Sequence, residues 1–349
     1  MKILVTGNAG YVGPSVVKLL RQSFAKAEIV GLDSGFFAHC LTNADSLPER
    51  YLDRQVFMDL RDIPESFLKG FDAVVNLAAI SNDIMGKIDE SLTLGINCAA
   101  GVHLAKMAKS AGVRAFVFAS SCSVYGAGGE AAKTEESTVA PLTAYARSKI
   151  ESETGLKPLA DSGFVVTCLR FATACGMSDR LRLDLVLNDF VACALASKRI
   201  TVLSDGSPWR PLIHVSDMAR AIVWAIERDV SQGGQFLVVN AGSDEWNYQV
   251  RDLASAVSAE IPGVEVSINT DAPPDKRSYR VDFKRFRELA PDHQPRMDLK
   301  STVKELREGL EAMRFQNGNF RDSEFMRLKV LTGHREAGRL THDLRWAGY

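Results

Sequence analysis

Lys2-Ile3-Leu4-Val5-Thr6-Gly7-Asn8-Ala9-Gly10-Tyr11-Val12-Gly13 is followed at once by Pro14-Ser15-Val16-Val17-Lys18-Leu19-Leu20. A short apolar strand runs into a turn with glycines at 7, 10 and 13, and the apolar positions 16, 17, 19 and 20 then fall on one face of a helix. Small residues are needed in such a turn for a physical reason. The chain reverses sharply, the backbone comes close to a pyrophosphate, and the helix N-terminus offers free N–H groups to the anion. The spacing is GxxGxxG, one residue longer than GxGxxG. An ordinary three-glycine turn is the competing reading, and the order strand, turn, helix argues against it. Gly7, Gly10, Tyr11, Val12 and Gly13 are therefore candidate dinucleotide-binding residues.

Asp33 closes a second strand, Glu28-Ile29-Val30-Gly31-Leu32. A carboxylate there accepts hydrogen bonds from the adenosine ribose hydroxyls and repels a 2′-phosphate, which favours NAD over NADP. A cap or turn role is the alternative for Asp33. Asp59-Leu60 after the third strand and Leu77-Ala78-Ala79 after the fourth are candidates to flank the cofactor, with plain packing as the other reading.

Working outward, residues 2–6, 28–32, 55–58, 72–77 and 115–119 read as strands, with helices near 12–24, 89–111 and 142–161. The strands are nearly continuous in apolar residues, as in a parallel sheet covered on both faces. This predicts an α/β fold: a Rossmann-type doubly wound parallel sheet over residues 1–172, with some later segments returning to it. A smaller α/β substrate lobe is expected over 173–308, with helices near 183–197, 216–228 and 249–260 and strands at 200–203 and 235–239. Residues 309–349 read as a helical C-terminal extension packed on the body or on a partner chain.

The 349 residues carry 42 Lys plus Arg against 43 Asp plus Glu, a net charge of -1 that gives no global case for nucleic acid or an anionic membrane. No apolar run reaches the ~18–20 residues of a membrane span, and the first strand leaves no room for a signal sequence, so the expected compartment is the cytoplasm. The six cysteines form no CxxC pair and read as reduced thiols. No spacing suggests a metal site; His334 and His342 are isolated, and His214 reads as a core residue.

Tyr145 and Lys149 are four residues apart on one predicted helix and so share a face. A cation beside a phenol favours the phenolate, which is a better base than a phenol of ordinary pKa. Upstream, Ser120-Ser121-Cys122-Ser123 leaves a buried strand at the carboxyl edge of the sheet, where ligands bind in such folds.

With these residues the sequence resembles the extended short-chain dehydrogenase/reductase family, the NAD-dependent nucleotide-sugar epimerases and dehydratases, over residues 1 to about 300. Thr6 to Gly13, Asp33, Leu77 to Ala79, Asn97, Ser120-Ser121, Val124-Tyr125-Gly126, Tyr145 with Lys149, Leu169-Arg170-Phe171, and Arg210 to Val215 with Asp217 fall in family order. The resemblance implies Tyr145 as proton-transfer base and acid, Lys149 holding the nicotinamide ribose and lowering the tyrosine pKa, and Ser121 hydrogen-bonded to the reacting sugar hydroxyl. It adds Asn97, Ser120 and Phe171 to the cofactor contacts. Substrate contacts are implied at Ser81, Ser121, Cys122, Ser123, Thr173, Arg182, Arg210 and Arg277, the arginines toward a nucleotide diphosphate, with Arg180 beside Arg182 a further candidate.

Two departures narrow the activity. Dehydratases resembling this chain carry Asp-Glu where Cys122-Ser123 stands, and neither residue is an acid of carboxyl pKa. Cys122 reads as a small residue packing beside the sugar, with a redox thiol as the other reading. Thr173 replaces an Asn that contacts substrate. The expected function is thus C4 epimerisation of a nucleotide sugar through a transient 4-keto sugar. The alternatives are a 4-dehydrogenase or 4-ketoreductase using the same trio and, from another class, a catalytically silent NAD-sensing protein. Family members dimerise through two helices, here 97–111 and 145–161, so a homodimer is expected.

Overall fold

The computed structural model describes residues 1–42, 44–81, 89–127, 129, 131–272 and 278–348. Seven strands form the central sheet: β1 (Lys2–Thr6), β2 (Glu28–Asp33), β3 (Arg54–Phe57), β4 (Ala73–Asn76), β5 (Ala115–Ser121), β6 (Val165–Phe171) and β10 (Phe236–Ala241). Their order is β10-β6-β5-β4-β1-β2-β3 and every pairing is parallel. The winding reverses between β1 and β4, and a ligand crevice belongs outside the carboxyl ends of the strands at that point.

Consecutive side chains leave opposite faces of a strand, and both faces are buried here. Ile3, Val5, Ile29, Val75 and Val117 enter one core, while Leu4, Val30, Val74, Phe116 and Phe118 enter the other. The first core holds α1 (Gly13–Ser23) through Val16, Val17 and Leu20, and runs on without a break into the second lobe. The opposite core is covered by α3 (Ala100–Ser110), reached from α2 (Glu90–Leu94) through a π-helical turn, Gly95–Ala99. That turn interrupts the single helix expected over 89–111.

α4 (Ala144–Leu156) starts where Thr143 Oγ1 accepts the N–H of Ala146 at 3.1 Å, and ends in the 3₁₀ turn Lys157–Leu159 around Pro158. It is shorter than the expected 142–161 because proline cannot continue the helical hydrogen-bond ladder.

Beyond residue 172 the chain serves both lobes. α5 (Val186–Ser197) belongs to the second lobe, but α6 (Val215–Glu227) packs on α1 and β10 pairs with β6, so the strand expected at 235–239 is an edge of the main sheet. The second lobe holds two small sheets. One is β11 (Asn247–Gln249), β9 (Trp209–His214) and β7 (Thr173–Cys175); the other is β12 (Glu265–Ile268) with β8 (Arg199–Val202). Around them lie α7 (Val250–Glu260), α8 (Lys284–Leu289) and α9 (Leu299–Ala312). α9 crosses the expected boundary at 308. The extension beyond it forms α10 (Arg327–Glu336) and a tail bridged at Leu340 and Trp346. Among the described residues no helix is long and apolar enough to cross a membrane.

Candidate active site

The turn after β1 is held open by two glycines. Gly7 has φ +75°, and a Cβ there would come 2.6 Å from the backbone N of Ala78. At Gly13 a Cβ would lie 1.9 Å from the carbonyl oxygen of Asn8, so only glycine lets the first turn of α1 close on the loop. Asp33 Oδ2 accepts the N–H of Ala9 at 3.0 Å and Oδ1 that of Gly35 at 2.7 Å, so the carboxylate braces the loop from the end of β2. Burial pushes the Asp33 carboxyl above its ordinary pKa, against the pull of those N–H groups.

These residues open onto a cavity of about 510 Å³, a volume within the small-molecule range. Gly7, Gly10, Tyr11, Val12, Asp33, Asp59, Leu60, Leu77, Ala78, Ala79, Ser120, Ser121, Tyr145, Lys149 and Phe171 all line it, together with Ser81, Ser123, Thr173 and Arg182. The cavity fits a dinucleotide: no Cβ stands at Gly7 or Gly10, a helix N-terminus faces it, and a carboxylate sits at the end of β2.

α4 brings Tyr145 and Lys149 to the carboxyl end of β5. Lys149 Nζ donates to the carbonyl of Ala119 at 2.7 Å, and lies 5.3 Å from the Tyr145 ring and 4.8 Å from that of Phe118. Burial lowers its pKa to about 8, with Glu153 pulling the other way. Beneath it Glu153 takes the Arg170 guanidinium at 3.0 and 2.7 Å and the Ser120 hydroxyl at 2.6 Å. Ser120 therefore spends its hydroxyl on Glu153. Ser121 accepts the N–H of Ser123 at 3.2 Å and keeps its own O–H for a ligand. On the second lobe, Arg182 is gripped by both Asp184 oxygens at 2.5 and 2.9 Å and donates to Ser81 at 2.8 Å. It also lies close enough to interact electrostatically with Tyr145.

Several of the expected residues spend polar groups on the protein itself, and some lie away from the cavity. Tyr11 sends its hydroxyl into the second lobe, donating to the Gly176 carbonyl at 2.6 Å and accepting from Asn188 at 3.0 Å. Asn97 does not line the cavity: its amide is bonded to both backbone groups of Ile80 at 2.7 and 3.0 Å and to Ser148 at 3.1 Å, so it pins the loop after β4 to α4. Cys122 is buried behind the wall with its thiol donating to the Arg170 carbonyl at 3.1 Å, because the 3₁₀ turn at Cys122–Tyr125 rotates it inward. Burial raises that thiol's pKa far above the ordinary range, which removes the redox reading. Asp59 is clamped by Arg61 at 2.9 and 2.6 Å. Arg210 donates to the Trp209 carbonyl at 2.8 Å and does not line the cavity. Arg180 is buried against Glu49 at 2.9 Å. Arg277 lies outside the described residues.

Other lining residues gave no local signal: Phe36 and Phe37 after β2, Asp184, Met218, Tyr279, and Arg327 and Leu331 of α10. Only folding brings them there. It also places His39, Cys40 and Glu324 with potential ligand atoms within 4.8 Å of one another, a grouping no sequence spacing signals.

A model of the NAD dependent epimerase/dehydratase family matches residues 3–242. The chain is 27% identical over 321 residues to UDP-glucuronic acid decarboxylase 6 of Arabidopsis thaliana, covering 90% of this chain and 88% of that protein. It is 31% identical over 264 residues to UDP-glucose 4-epimerase of Vibrio cholerae, covering 73% and 75%. Among solved structures, MoeE5 in complex with UDP-glucuronic acid and NAD superposes with a TM-score of 0.75 at 26% identity, covering 89% of this chain and 99% of that one.

Proposed function

Because the chain belongs to the NAD dependent epimerase/dehydratase family, we propose that this NAD-dependent enzyme epimerises a nucleotide-diphosphate sugar at C4 through a transient 4-keto sugar. The observation that carries the proposal is the convergence of Ser121, Tyr145 and Lys149 on the cavity that the glycine turn opens. When bound, NAD supplies the acceptor for the C4 hydride and the source from which it returns. Ser121 donates a hydrogen bond to the C4 oxygen and orients it. Tyr145 takes the hydroxyl proton as the ketone forms and gives it back when the ketone is reduced on its other face. Lys149 favours the phenolate through its charge beside the ring.

The carboxylates argue against dehydration. Asp33 braces the glycine turn, Asp59 is held by Arg61 and Asp184 by Arg182, and no carboxyl lines the wall beside Ser121 among the described residues. Decarboxylation of a uronic acid after the same oxidation is the second reading, supported by the similarity to the plant decarboxylase.

One experiment separates these outcomes. UDP-glucose and UDP-glucuronic acid are each incubated with the enzyme in deuterated water, and the products are read by NMR with absorbance at 340 nm. The C4 epimer with no deuterium at C4 and no net absorbance change is the expected result. Released carbon dioxide would establish the decarboxylase, and stoichiometric NADH the dehydrogenase.

A further inference from the structure

The polypeptide beyond α9 plays no part in the chemistry above, yet α10 supplies Arg327 and Leu331 to the cavity wall, each only 4% exposed. This polypeptide also pairs with the second lobe, Arg321 with Asp189 of α5 at 2.7 Å and the Phe325 carbonyl with the N–H of Leu183 at 2.9 Å, but a set of its contacts falls on three loops that leave the carboxyl ends of β2, β3 and β4. On the β2 loop, Trp346 Nε1 donates to the Ser34 carbonyl at 2.6 Å, His334 Nε2 is 3.2 Å from the Phe36 carbonyl, and the Trp346 ring lies 5.8 Å from that of Phe36. On the β3 loop, Arg61 grips Asp59 and also donates to the carbonyls of Asp343 at 3.0 Å and Leu344 at 3.4 Å, while Arg345 pairs with Asp62 at 2.5 Å. On the β4 loop, Ile80 joins Leu331, Leu340 and Leu344 in a small core of its own. These are the loops around Asp33, where the adenosine end of a dinucleotide belongs.

We propose that residues 320–348 are a built-in cover of the NAD site, closing the cleft over the adenosine end so that the cofactor stays bound from one turnover to the next. The proposal rests on the epimerase reading, in which the hydride is returned and nothing requires the dinucleotide to leave. The cover adds charge as well as walls. The Arg327 guanidinium donates to the carbonyls of Arg180, Leu181 and Glu324 and is salt-bridged to no carboxylate among the described residues, so it presents a cation to an anionic cofactor. Trp346, 46% exposed at the outer rim, and Arg345 are latches, because each ties the tail to a loop without belonging to the main core. Release of NAD then requires the tail to lift, and binding must in turn hold the tail down.

The test measures dissociation of NADH, followed by its fluorescence after mixing with excess NAD, in the parent protein and in Trp346→Ala and Arg345→Ala, with melting temperatures recorded beside it. The expected result is dissociation about tenfold faster in Trp346→Ala and less so in Arg345→Ala, at melting temperatures near the parent's. A second readout is tryptic cleavage at exposed Arg339, which NAD should slow in the parent and slow less in the variants. Dissociation within about twofold of the parent in both folded variants, or cleavage indifferent to NAD, overturns the cover. A parent protein that binds no NADH overturns the functional reading itself, so the two failures are distinguishable.

Discussion

Lys149 is asked to carry a positive charge in a place that disfavours one. Burial lowers its pKa to about 8, whereas in the unfolded chain it keeps its ordinary value, so between about pH 8 and 10 the unfolded state holds more protons. The folded state therefore gains stability as pH rises through that window, and below it the buried ammonium costs up to roughly 3 kcal/mol. Lys149→Met, without cofactor, should melt higher than the parent at pH 7, less the hydrogen bond lost to Ala119, and the gap should close toward pH 10; thermal melts at the two pH values check it. Tyr145→Phe removes the proton-transfer group and leaves the ring. Turnover should fall about 10²–10⁴-fold with NADH affinity retained, measured by steady-state assay and fluorescence titration. At this scale the Tyr-x-x-x-Lys pair was legible because helical spacing alone sets which side chains share a face. Cys122 was not, because a 3₁₀ turn of four residues decides whether its thiol meets the sugar or the Arg170 carbonyl.

The strand, glycine turn and helix of β1 and α1 separate folding from binding within eight residues. A Cβ at Gly13 collides with the Asn8 backbone at 1.9 Å, whereas one at Gly10 meets nothing nearer than the Gly7 carbonyl at 3.2 Å. Gly13→Ala should therefore yield little folded protein. Gly10→Ala should fold with nearly the parent's melting temperature and lose most of its affinity for NADH, since the methyl occupies space that the dinucleotide needs; circular dichroism and fluorescence titration read the contrast. The order of this unit, and Asp33 at the end of the next strand, could be seen in the sequence because strand and helix periods differ and glycine marks the turn between them. The short strands β7, β9, β11 and β12 lacked that signal. At three to six residues they are too brief for alternation to show, and they are held by pairing across the second lobe.

Across the whole molecule the two lobes share one core and a few polar bridges. Tyr11 belongs by sequence to the glycine turn but donates to Gly176 and accepts from Asn188, tying the cofactor loop to the second lobe. Tyr11→Phe should deprive the Gly176 carbonyl and one N–H of the Asn188 amide of this partner and cost about 1–3 kcal/mol, seen as a single unfolding transition at lower temperature and not as two separate ones. Two transitions would show that the lobes are independent.

Local rules, which act over a few residues, determined the parallel α/β sheet, the glycine turn, the carboxylate of Asp33 at the end of β2 and the pairing of Tyr145 with Lys149. The sequence carried these because period, spacing and backbone freedom are short-range properties of a chain. Tertiary structure alone decided which later segments, β10 and α6, return to the first sheet, that Asn97 braces the loop after β4, that the Tyr11 hydroxyl turns to the second lobe while the residue lines the cavity, and that Arg327 reaches the cavity from nearly 300 positions beyond Asp33. Such contacts are fixed by which buried surfaces fit together, and no spacing along the chain records that.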